Sequence, residues 1–173
     1  MLVLPEVPKV DPCPDRQTAG DNRTFLVVVD ETTELRAALR FAARRAQGTG
    51  GRVALVSVAQ PPDVGPWMFV DSLMREEARS KAEQMLQRSA SIIQSIDGEA
   101  PVLHVREGEM LAEVLALIDE DPSISILVLA TAADDEDPGP LVRALTGRQA
   151  GRIRVPVTLV PGCLTDSEID VLT

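Results

Sequence analysis

The 173-residue sequence predicts a three-layer α/β domain, an open sheet of five mostly parallel strands with helices on both faces. Two observations carry this. Short, β-branched apolar runs alternate five times with stretches of helical spacing, the pattern of parallel strands joined by right-handed crossovers. Aromatics are scarce as well. With one Trp, three Phe and no Tyr, the core must be built from Val, Leu, Ile and Ala, as is common where helices pack on a parallel sheet.

The elements follow in order. Residues 1–23, rich in Pro, Asp and polar side chains, form an extended arm without a core of its own. The run "TFLVVVD" (24–30) is the first buried strand, and Thr32 or Thr33 is placed to cap the next helix. That helix carries Leu35, Ala38, Leu39, Ala42 and Ala46 on one face and stops at the glycines between 48 and 51. "RVALVSVA" (52–59) is the second strand, followed by the loop "QPPDVGPWMFVD" (60–71) with its three prolines. Asp71 or Ser72 then opens a long helix with Met74, Ala78, Ala82, Met85, Ile92 and Ile96 inward. Outside, Glu77 with Lys81 and Arg79 with Glu83 stand at i,i+4. "PVLHVRE" (101–107) is the third strand, and Gly108 turns into a helix with Leu111, Val114, Leu115 and Ile118 on one face. Asp121–Pro122 ends it. "ISILVLAT" (124–131) is the most apolar strand and so the central one. A shorter helix over 139–151 leads to the fifth strand, "VPVTLVP" (155–161). The tail 163–173 holds a capping box from Thr165 to Glu168, opening a short helix with Ile169 and Leu172 inward.

Composition excludes several functions. A net charge of −10 from 17 basic and 27 acidic residues argues against binding nucleic acid or an anionic membrane. No run reaches the roughly eighteen apolar residues a membrane span needs. The N-terminus lacks a basic n-region and is interrupted by four prolines, so no export signal is read and the expected location is the cytoplasm. Cys13 and Cys163, one in each terminal segment, are expected to be reduced thiols. No ligand spacing of the HxxxH or CxxC kind appears, nor a Walker A loop, a nucleophile elbow or a dinucleotide glycine fingerprint. His104, the lone histidine, has no Ser or Cys partner and reads as a structural or edge residue. Trp67 and Phe69 are read as packing on the long helix, with a lid over the crevice as the alternative.

The residues between Thr24 and Gly162 resemble the universal stress protein family. The likeness rests on "FLVVVDETTELRAALRFAARRA", on "VREGEMLAEVLALI" before the fourth strand, and on the closing "VPVTLVP", taken in their order and spacing. The resemblance implies the adenine nucleotide alpha hydrolase-like sheet, ordered 3-2-1-4-5, with strands one and four adjacent at the switch point. It also implies a homodimer through the fifth strand, with Val157, Thr158, Leu159 and Val160 along the pairing edge. A nucleotide, where retained, would sit against Val29, Asp30 and the end of strand two, Val56 to Val58. The nucleotide-binding branch carries Gly-x2-Gly-x9-Gly-Ser/Thr after strand four, whose backbone N–H groups and hydroxyl hold the phosphates. The gapless match puts Ala130, Ala133, Arg143 and Ala144 at those positions, none of the expected type.

In the same loop stand Asp134, Asp135, Glu136 and Asp137. At an effective dielectric of about 20, like unit charges about 4 Å apart cost about 4 kcal/mol, so these acids repel a triphosphate. They are candidates for Mg2+ or Ca2+ but lack the EF-hand spacing, and a solvated turn is the simpler reading. Asp30 has two readings, contact with a nucleotide or an N-terminal helix cap favoured by the dipole. The expected function is a non-enzymatic homodimer with no cofactor, acting in stress adaptation through an unknown protein partner. A nucleotide-binding switch that takes ATP with Mg2+ is the alternative, and a metal-dependent hydrolase using the acids is a weaker third.

Overall fold

A computed structural model describes residues 23–60, 68–132, 138–147 and 150–173, leaving the side chains of 68–71 outside that description. The strands are β1 (Thr24–Val28), β2 (Arg52–Ala59), β3 (Val102–Glu107), β4 (Ile124–Thr131) and β5 (Val157–Pro161). They form one sheet in the order β3-β2-β1-β4-β5, and every pairing is parallel. The centre of the sheet is β1. The most apolar strand, β4, lies beside it rather than at the centre. The β1–β2 register is unbroken, the β1–β4 register shifts between Thr24 and Phe25, and beyond that point Val27 lies opposite both Leu55 of β2 and Val128 of β4.

All five residues of β1 are buried, which is why it reads as an unbroken apolar run. Alternate residues serve two cores. Phe25 and Val27 face helices α1 (Leu35–Thr49) and α2 (Met68–Asp97), while Leu26 and Val28 face α3 (Met110–Glu120) and α4 (Pro140–Thr146). The alanine stripe of α1 is buried as expected, with Ala38, Ala42 and Ala46 at 0% exposure. The left-handed Gly50 (φ 66°) ends that helix and returns its N–H to the Ala46 carbonyl.

Several local expectations are corrected. The long helix begins at Met68, a turn before Asp71, and its buried stripe runs through Ala82, Leu86, Ser89 and Ile93, leaving Ile92 38% exposed. Met85 and Ile96 still pack against the same core as partly buried neighbours, while Ile92 lies outside the stripe beside the buried Ile93. Lys81 reaches across to Glu31 at 2.7 Å, whereas Arg79 meets Glu83 as expected and also Glu107. The shorter helix covers 140–146, and a 3-10 turn at Ala150–Arg152 follows it. The cap of α3 is Glu109, whose carboxylate accepts from the N–H groups of Leu111 and Ala112.

The tail forms α5 (Asp166–Leu172), with the capping box present: Thr165 and Glu168 bond each other's backbone N–H groups. Gly162 allows the turn into it, because a Cβ there would collide with Glu34. Helix α5 docks beside α1 through ion pairs of Arg36 and Arg40 with Asp166, and of Arg40 and Arg44 with Asp170. Ile169 enters the α1-side core at 0% exposure, whereas Leu172 stays 59% exposed at the helix end. Exposed ion pairs contribute little, so the apolar anchor should dominate. Ile169→Ala is expected to cost about 2–5 kcal/mol in urea denaturation, and a loss near zero would mean that α5 is not anchored as described.

Candidate functional site

In an open α/β sheet the crevice lies beyond the carboxyl ends of the strands on either side of the switch point, here β1 and β4. Val29 follows β1 and donates its N–H to the Val56 carbonyl at 2.8 Å. Its side chain is 1% exposed and belongs to the α1-side core. Val56 and Val58, at 0% and 7%, belong to the opposite core with α3. Those three side chains serve packing. Asp30 is the residue of this group that presents a partly exposed polar side chain.

Asp30 does not cap the helix. One carboxylate oxygen accepts from the Thr32 N–H at 3.1 Å and from the Thr32 hydroxyl at 2.6 Å, closing a small turn. Helix α1 starts later, with Glu34 at the cap position and no side-chain cap bond, so neither Thr32 nor Thr33 plays that role. The sequence offered Asp, Thr and Thr within four positions. The aspartate, two residues before Thr32, forms the local turn first and moves the helix start on by a turn.

On the β4 side, Ala130 is partly buried against the α1-side core and lies opposite Val160. Arg143 is the middle residue of α4 and Ala144 follows it, so the gapless match does not place them at that helix's start. Gly139 (φ 88°) and Pro140 stand there instead. Phosphate binding at a helix start uses free backbone N–H groups, and proline supplies none. Ala133, Asp134, Asp135, Glu136 and Asp137 lie outside the described residues, as do Trp67, Cys13 and the rest of the N-terminal arm up to residue 22. Among the described residues no group of His, Cys, Asp and Glu is arranged to hold a metal ion. None of the described helices is long and apolar enough to cross a membrane. Cys163 is exposed and is not in a disulfide.

β5 pairs with β4 and ends the sheet. Val160 is buried at 2% and Leu159 is 38% exposed, while Val157 and Thr158 are half-buried. The tail helix lies against α1 in the helix layer rather than along this edge.

His104 lies in β3 at the opposite edge, in register with Val56. Its Nε2 is buried and has no hydrogen-bond partner among the described residues. Burial, then the Arg106 charge, lowers its pKa, against opposing pulls from Asp121 and Glu120. The folded state therefore favours the neutral ring. His104's contribution is fully present above the ordinary 6.5 and falls as pH drops from there towards the lower folded value. As the chain holds one histidine, its Cε1 proton is an isolated NMR signal. It is expected to titrate below 6.5, and a midpoint at or above 6.5 would contradict the buried setting.

Comparisons place this geometry. A model of the universal stress protein family matches residues 21–161. No curated protein sequence matches significantly. Among solved structures, UspA from Lactobacillus plantarum is 15% identical with a TM-score of 0.66, covering 80% of this chain and 97% of that one. A universal stress protein from Burkholderia pseudomallei is 18% identical, TM-score 0.60, covering 80% and 95%. One from Archaeoglobus fulgidus, solved in complex with dAMP, is 21% identical, TM-score 0.55, covering 80% and 97%. With the family model spanning most of its length and the sheet ordered β3-β2-β1-β4-β5, the chain belongs to the universal stress protein family.

Proposed function

We propose that the protein is a non-enzymatic member of its family that acts in stress adaptation as a homodimer, through a protein partner, without holding a nucleotide triphosphate. The observation that carries the reading is the start of α4. Gly139–Pro140 stands where a phosphate would need N–H donors, Arg143 and Ala144 lie further into the helix, and four acids precede it in the sequence. The open edge of β5 supports pairing with a second copy about a two-fold axis, since an unpaired strand edge without charges is otherwise a pairing hazard.

A nucleotide-responsive switch is the second reading. It is favoured by Asp30, which keeps an accessible carboxylate at the switch point, and by neighbours solved with dAMP and with cAMP. Calorimetric titration with ATP, with and without Mg2+, separates the two. No binding tighter than about millimolar is expected, and a micromolar constant in either condition would favour the switch. For assembly, light scattering at micromolar concentration should give twice the 18.6 kDa chain mass. Thr158→Pro, which removes an N–H from the middle of β5, should return monomers. A wild-type mass near 18.6 kDa would refute the dimer.

A further inference from the structure

Among the described strands, β3 is the sheet edge opposite β5 and pairs with β2 alone. Its residues alternate between the two helix layers. Leu103 and Val105 pack against the core under α1 and α2, whereas His104, opposite Val56, takes the face shared with α3. On that face Arg106 donates through both terminal guanidinium nitrogens to the Glu120 carboxylate at the end of α3. The His104 ring is half-buried, yet its Nε2 is shut off from solvent and has no hydrogen-bond partner among the described residues.

The two protonation states differ in what that nitrogen needs. In the neutral ring Nδ1 can hold the proton and Nε2 is then a bare acceptor, but in the imidazolium Nε2 must carry an N–H. A buried donor without an acceptor is costly, and more so on a charged ring. The charged groups around the ring are Arg106 on β3, and Asp121 and Glu120 at the end of α3, while β2 contributes the apolar Val56. Arg106 repels an imidazolium. Glu120 is already bonded to Arg106, and the Asp121 carboxylate accepts from the Ser123 N–H. Arg106 also holds the Glu120 pKa below the usual carboxylate value, so that ion pair persists in mild acid. The inner strands are packed on both faces, and the strand held on one side only is the one that yields at least cost.

We propose that His104 makes the β3 edge acid-responsive: once protonated, its ring turns out of the sheet face towards solvent and β3 loosens from β2, uncovering the β2 edge beneath it. The device goes beyond the function proposed above and does not depend on it, because neither the crevice nor β5 takes part. Amide hydrogen exchange of the full chain, followed from about pH 7.5 to about pH 4.5 and corrected for the intrinsic pH dependence of exchange, is the readout. Protection of Val102–Glu107 relative to β1 should fall at least about threefold, with the midpoint at which the His104 Cε1 signal titrates. His104→Leu, which cannot be protonated, should hold β3 protection constant relative to β1 across that range. His104→Gln, polar but equally unable to titrate, gives the same test if the leucine variant does not fold. A ring that titrates without loss of β3 protection, an equal loss in either variant, or a ring still neutral at about pH 4.5 would overturn the proposal.

Discussion

The fold depends on the complete enclosure of β1. The strand is hydrogen-bonded to β2 on one side and β4 on the other, and both its faces lie under helices. None of Phe25, Leu26, Val27 and Val28 is more than 5% exposed. Burial of a Val, Leu or Phe side chain contributes about 1.5–3 kcal/mol, so a polar change anywhere in this run would remove the support of both layers at once. The enclosure also fixes where chemistry takes place. With β1 and β4 adjacent and their connections leaving on opposite faces, the chain opens a crevice at Asp30, and the groove between α1 and α2 begins beside it.

Much of this was legible because each signal was periodic. Strands buried on both faces appear as continuous apolar runs, and the alanine stripe of α1 recurs at helical spacing. Sheet order was not in the periodicity and came through the family likeness. Hydrophobicity alone misplaced the centre of the sheet: β4 has the more apolar sequence, yet β1 is paired on both sides by inner strands. Where two neighbouring residues were both apolar, pattern could not choose. Ile92 and Ile93 differ in sequence by one position, and the geometry of α2 buries the second. Capping was less legible still. Asp30, Thr32 and Glu34 compete for one turn, and Glu109 caps α3 although glutamate is not among the residues usually favoured there. For Leu172, helical spacing from Ile169 was right, but α5 ends where no core remains to receive it.

Of the candidate site, sequence indicated the residues around the crevice but not their employment. Val29 and Val56 are committed to packing, and Arg143 and Ala144 lie inside α4 rather than at its start. The tail adds a different feature. The family match ends at residue 161, whereas α5 extends beyond it and is held to α1 by three arginines and Ile169. The family sheet is thus retained, and a helix beyond the family match packs on its flank.

The central proposal is that the chain does not hold the phosphates of a nucleotide at the start of α4. Titrating adenosine and ATP in parallel, without divalent cation, tests it most directly because the two ligands differ only in the phosphates. If the phosphate half is gone, the triphosphate adds nothing and ATP binds no more tightly than adenosine. ATP binding about tenfold or more tighter than adenosine would show that the loop between β4 and α4 still holds phosphate, and would contradict the account.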